Sequence, residues 1–203
     1  MRKFGTAGLT GVWAARNTRE ALFDALARRE AFATTGPRIL VRFFAGYGLA
    51  GVDPGMRGWV DAAYRGGVPM GGELPPAPGQ APQFLVWAKD GQSHERVFDV
   101  AWSGKRLPDA KTGRVGPVGS TVDLATVTYR NTIGATMLSA QWRDPDFDPK
   151  VNAAYYARVL EIPTPRWTDY DAKRLGRPMP PDLPTAQQER AFTSPIWYDV
   201  PMP

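Results

Sequence analysis

The sequence contains no cysteine and a single histidine. Without cysteine there is no disulfide, no thiolate-held zinc, no iron–sulfur cluster and no thiol nucleophile. One histidine, His94, falls short of the usual zinc donor sets. No serine sits in a nucleophile-elbow pattern for it to activate, so His94 reads as a surface residue. No apolar run approaches the roughly 20 residues of a membrane span. The basic start, Met1, Arg2 and Lys3, is followed by no apolar stretch of the signal-peptide kind. The expectation is a soluble chain with no membrane partner, its compartment left open.

What the sequence does contain is enough to fold. Its 203 residues are 43% hydrophobic and 22% charged, and 7 Trp, 7 Tyr and 9 Phe supply ample burial. That length fits one sizeable domain, or one domain plus part of another. The net charge of +5 is unevenly placed. Residues 1–50 hold 8 Lys/Arg against 3 Asp/Glu, whereas residues 51–203 hold 17 of each. The basic first quarter reads either as a solvated helix face or as the border of an anion site.

Residues 9–15 form a short apolar run, expected as a buried strand. Asn17, as N-cap, and Glu20, three residues on, predict the start of a helix, and Ala21, Leu22, Ala25 and Leu26 continue it at helical spacing. Alternation over residues 38–44 predicts a strand with Ile39, Val41 and Phe43 on one face and a wet face bearing Arg38, Leu40, Arg42 and Phe44. Residues 45–82 are rich in Gly and Pro and read as a wrapping segment, with at most a short helix in 56–64. From residue 83 the pattern is β. Strands are expected at 83–89 and 96–102 as a hairpin, at 121–129 and 136–142 as a second pair, and at 154–162. Nine of the twenty prolines lie in residues 163–203, which predicts an extended aromatic strap rather than a packed helix, with a possible helical turn at 187–191.

The short motifs carry little chemistry. Gly46, Gly48 and Gly51 have the spacing of a dinucleotide-binding loop, but Pro54 and Gly55 interrupt the helix that such a loop requires. Asp144, Asp146 and Asp148 alternate in the manner of a hard-cation cluster, yet the central Gly and distal Glu of a calcium loop are missing. The aromatics sit at strand spacing rather than among the basic residues, so no nucleic-acid partner is expected.

Several longer stretches, taken in order, are more specific: Gly8 to Ala14, Asn17 to Leu22, Ala33 to Ile39, Val68 to Gly72, Phe98 to Ser103, Asn131 to Gly134, Asp144 to Pro149, Arg158 to Trp167, Tyr170 to Ala172 and Thr193 to Tyr198. Together they resemble the C-terminal part of a large bacterial family of unknown function. Its full-length members resemble metallohydrolases of the polymerase-and-histidinol-phosphatase (PHP) type. The resemblance implies an α+β chain, mostly antiparallel β. Residues 1–44 would hold the closing strand–helix unit of a PHP-like β/α barrel and a connecting strand. Residues 45–203 would form an appended β-rich, sandwich-like domain ending in the Pro-rich strap. It also implies divalent metals in the full-length proteins, held by residues upstream of the stretch matched here. No catalytic or metal-binding residue carries over onto this chain, and no cofactor is expected in it.

In a β/α barrel the C-terminal strand ends face the active site. By that logic Trp13, Asn17, Thr18 and Arg19 would border the cavity as substrate contacts, with Arg19 opposite an anion. The plainer reading is that Asn17 caps a helix and Trp13 packs. Where related sequences carry acidic residues after the Trp-Ala pair, this chain has Ala15 and Arg16. The expected function is that of a C-terminal fragment of a PHP-like, phosphoesterase-type metal-dependent hydrolase, inactive alone. Its partner would be the missing barrel, from the same or an adjacent gene, or a second copy of itself. The alternative is a non-enzymatic β-rich interaction module. On the fragment reading, Leu9, Val12, Leu22 and Leu26 need cover from outside.

Overall fold

The computed structural model describes residues 7–77, 80–88, 98–179 and 181–200, with only the backbone of Trp87 and Ala88. In chain order the first elements are β1 (Leu9–Val12), α1 (Arg19–Ala27), β2 (Ala31–Thr34), β3 (Val41–Gly46), α2 (Trp59–Gly66), β4 (Val68–Pro69), β5 (Glu73–Leu74) and β6 (Gln83–Ala88). There follow β7 (Leu138–Arg143), β8 (Ala153–Tyr155), β9 (Arg158–Leu160), β10 (Thr164–Pro165), α3 (Trp167–Arg174), β11 (Ala186–Gln187), β12 (Arg190–Thr193) and β13 (Ile196–Tyr198). The architecture is mostly antiparallel β with three helices among the described residues. No described helix is long and apolar enough to cross a membrane.

Two four-stranded sheets dominate. One runs β1-β2-β12-β9 and the other β4-β3-β6-β7; the neighbours in both are antiparallel. A smaller sheet runs β5-β13-β8, in which β13 lies parallel to β5. All three contribute to one core. Phe32, Val159 and Ala191 come from the first sheet, Val41, Phe43 and Phe84 from the second, and Leu74, Ile196 and Tyr198 from the third. Phe84 is the pivot, with its ring centroid 5.9 Å from Phe43, 5.6 Å from Trp142 and 4.3 Å from Tyr155. The opposite face of the second sheet carries Phe44 and Leu85, roofed by Leu49, Ala63 and Trp59.

The structure corrects several sequence expectations. Strand β1 stops at Val12 and is exposed or half-buried rather than buried. Thr18, not Asn17, caps α1, because its Oγ1 accepts from the Ala21 amide at 3.3 Å. Phe44 does not lie on a wet face; α2 covers it. The 45–82 stretch holds α2, β4 and β5. Strand β6 has no hairpin partner at 98–102, which is irregular, since β3 and β7 already occupy its two edges. In place of a strand at 121–129 there is a turn closed by the Asp123–Thr128 bridge. Residues 153–160 break into two strands serving different sheets. The strap contains a packed helix, α3, with Asp169 reaching back to the Arg166 amide at 3.1 Å. Residues 186–187 and 190–193 are strands, not a helical turn.

The glycine spacing at 46 and 48 has a packing origin. A Cβ on Gly46 would sit 2.2 Å from the Gly66 carbonyl oxygen, and the Gly48 amide donates to that oxygen at 3.0 Å. The end of β3 and the end of α2 therefore cross backbone to backbone.

Candidate functional site

The sequence singled out four residues on the β1–α1 connection, and the structure treats them differently. Trp13 is half-buried. Its indole Nε1 donates to the Val41 carbonyl at 2.8 Å, and its ring lies 6.1 Å from Phe32. Asn17, Thr18 and Arg19 are exposed at the start of α1. Thr18 is occupied as the cap. The four thus split into one packed anchor and three residues on an open rim.

Around Trp13 lies a polar cluster that sequence reasoning did not assemble. The Arg42 guanidinium stacks over the indole, 3.7 Å from the ring centroid. Glu30 is buried, although it follows directly on the end of α1. It is buried because Arg29 takes a left-handed conformation, φ 59°, which turns the chain and lets the Glu30 amide donate to Ala25 O at 3.0 Å. The Glu30 carboxylate accepts from the Tyr64 hydroxyl and lies 3.5 Å from Arg28 Nη2. Its carbonyl accepts from the Trp13 amide at 3.1 Å. Glu30 thereby joins three parts of the fold: its main-chain carbonyl holds the β1 end, and its carboxylate ties the α1–β2 corner to α2.

Burial, and then the Glu30 carboxylate, push the Tyr64 hydroxyl above the usual tyrosine range, while Arg42 works in the opposite direction. A phenol held in this way acts as a hydrogen-bond donor and not as a base at neutral pH. Arg42 Nη1 is buried without a hydrogen-bond partner among the described residues. The group is suited to fixing the strand–helix unit on the body of the fold. The signal missed was the polar residue in each case: Glu30 just past a helix end, and Arg42 alternating with Val41 and Phe43.

The second feature of this region is apolar and open. Leu9 is 44% exposed, Leu22 36%, Phe23 69% and Leu26 52%, whereas Ala25 alone on α1 is buried. Strand β1 is the edge of its sheet, and among the described residues its outer side pairs with no strand.

The metals implied by the family resemblance would need donors that the described residues do not bring together. Among the described residues no group of three or more His, Asp or Glu side chains is placed to hold an ion. Asp144 accepts from the Tyr155 hydroxyl and from the Asp146 amide, both at 2.9 Å, and Asp148 accepts from the Lys150 amide at 2.9 Å. These carboxylates fix turns. The expected 90–93 turn and His94 lie outside the described residues.

No curated protein and no solved structure matches the chain. A family model described as a protein of unknown function (DUF3604) matches residues 1–90 and 87–200. Those two segments span nearly the whole sequence, and the chain belongs to that family.

Proposed function

We propose that this chain is the C-terminal part of a PHP-like, metal-dependent hydrolase of the phosphoesterase type, and that it is inactive alone. The ordered series of stretches from Gly8 to Tyr198 supports the family side of this reading. The observation that carries it is the open apolar face of the β1–α1 unit. A strand–helix pair that turns Leu9, Leu22, Phe23 and Leu26 outward is one whose neighbours lie elsewhere. Its antiparallel return into β2 makes β1 a terminal strand rather than one in a continuing parallel series. The metal-binding groups of the enzyme would lie in the part that β1 adjoins. Asn17, Thr18 and Arg19 would then line the seam, with Trp13 anchoring the unit behind them and Arg19 placed to meet an anionic substrate.

A non-enzymatic interaction module is the second reading, favoured by the same uncovered face. Assays of the purified chain with p-nitrophenyl phosphate and bis-p-nitrophenyl phosphate, with Mg²⁺, Mn²⁺ or Zn²⁺ added, should stay at the blank rate. Turnover by the chain alone that chelator abolishes would overturn the proposal.

A further inference from the structure

We propose that the turn of residues 123–128 is a two-state peptide switch, held in a strained form by Lys173 of α3 and relaxed by a flip of the peptide between Thr126 and Val127. The proposal is independent of the hydrolase reading.

The starting observation is backbone strain. Val127 has φ 49° and is the one β-branched residue with positive φ among the described residues. Left-handed backbone brings Cβ against the following carbonyl oxygen, and branching at Cβ adds to the crowding. Arg29, the other non-glycine residue in this region, is unbranched at Cβ and follows a helix end, where the conformation is common. Val127 follows no helix, and it is buried. Such a position ordinarily takes Gly, Asn or Asp, and this chain places a valine there. Strain of this kind persists only where the surrounding contacts hold it.

Those contacts are local, with one exception. Asp123 and Thr128 exchange backbone bonds at 2.8 and 3.1 Å. The Asp123 carboxylate accepts from the amides of Ala125 at 2.9 Å and Thr126 at 3.3 Å, and the hydroxyls of Thr126 and Thr128 bond at 2.7 Å. None of these involves the carbonyl of Thr126. That oxygen accepts from the Lys173 ammonium, 47 positions away. This bond decides the conformation, because Thr126 O belongs to the peptide plane that sets φ of Val127. A half-turn of that plane carries φ from 49° to about −130°, the extended region that valine favours. The Asp123–Thr128 bonds and the bonds to the Asp123 carboxylate use other peptides and survive the flip. The bond to Lys173 does not, since the oxygen swings away from the ammonium and a charge-assisted bond is lost.

Lys173 itself is firmly placed. Helix α3 is anchored by buried Thr168, Asp169 and Ala172, and its end is closed by the Arg177 amide on the Ala172 carbonyl at 2.8 Å. Bonds from Thr126 and Ala125 hold the Asp123 carboxyl below the usual carboxylate range, and the nearby Lys173 charge adds to this. The turn therefore has two conformations, and one exposed ammonium group on α3 chooses between them.

The test is nuclear magnetic resonance on the full chain. In the parent, the amide–Hα coupling of Val127 should be that of left-handed backbone. Lys173→Met should raise it to the extended value and speed amide exchange at Val127 and Thr128 by roughly tenfold or more. Lys173→Arg keeps the charge and should leave the coupling unchanged and exchange within about twofold of the parent. Val127→Gly removes the strain, so adding Lys173→Met to it should change exchange at these positions by less than about twofold. An extended coupling in the parent, an unchanged coupling in Lys173→Met, or an equal effect of Lys173→Met with and without Val127→Gly would each overturn the proposal. Loss of the cooperative thermal transition in Lys173→Met would do the same, since the lysine would then be holding the fold and not the turn.

Discussion

At the scale of single residues, Glu30 is the costly one. A buried carboxylate needs donors, and Tyr64 and Arg28 supply them from different sides. Removing the phenol hydroxyl, Tyr64→Phe, should destabilise the protein by about 1–2 kcal/mol in urea unfolding, since a hydrogen bond to a charged group is lost while the carboxylate stays buried. The sign of the pH effect follows from the raised Tyr64 value. Folding favours the protonated phenol, so its contribution is complete below the ordinary value of 10.0 and is lost as pH rises through the raised one. Urea midpoints between pH 8 and pH 11 should fall with pH in the parent and fall less steeply in Tyr64→Phe. Tyr155, raised by burial and by Asp144, keeps some of the slope in both. An equal slope in the two proteins would remove Tyr64 from this account. Trp13 was legible in the sequence as a large aromatic at a strand end. Its companions were not, because Glu30 and Tyr64 are 34 positions apart and neither has a pattern that points to the other.

At the scale of elements, the crossing of β3 and α2 is the most sharply constrained contact. Gly46→Ala places a methyl 2.2 Å from the Gly66 carbonyl oxygen, and that oxygen belongs to backbone that cannot rotate away. A loss of about 2–3 kcal/mol is expected. Gly116→Ala, with nothing within 4 Å of the added atom, is the control and should be neutral. Equal midpoints for the two variants in thermal denaturation would show that the crossing relaxes. The glycines were visible in the sequence, and with Pro54 and Gly55 arguing against a nucleotide loop they read as part of a wrapping segment; the crossing itself depends on the path of residues 47–65, which no local pattern encodes. The longer periodic segments were legible: α1, β3, β6 and β7 all lie where alternation or helical spacing put them. The pairings were not. Adjacent strands in sequence were expected as hairpins, whereas β6 and β7 are neighbours across the long irregular stretch of residues 98–137. Helix α3 escaped notice because the prolines around it dominate the local composition, while its start is set by Asp169 reaching back to Arg166.

At the scale of the molecule, the first sheet ties the two ends of the chain together. Strand β2 is flanked by β1 on one side and by β12 on the other, and β12 in turn meets β9. The core that these strands share with the other two sheets is continuous through Phe32, Phe84 and Ile196. A chain ending at residue 188 lacks β12 and β13, leaving β2 and Phe32 uncovered. It should lose its cooperative thermal transition as followed by circular dichroism, and residues 1–44 alone should show none. Two-state unfolding of the truncated chain near the parent midpoint would mean that β12 and β13 are dispensable. The predominance of strand beyond residue 83 was legible in its apolar pattern, and the resemblance implied the antiparallel class.

The place of β12 also bears on how the protein is made. Thr35 and Arg190, bonded at 3.0 Å, are 155 positions apart. At the usual pace of synthesis, about 5–20 residues per second, the nascent β1–α1–β2 segment waits roughly 8–30 s on the ribosome for the strand that completes its sheet. Through that interval its apolar helix face and both open strand edges are exposed together, so the emerging chain is a natural client for chaperones that shield hydrophobic segments.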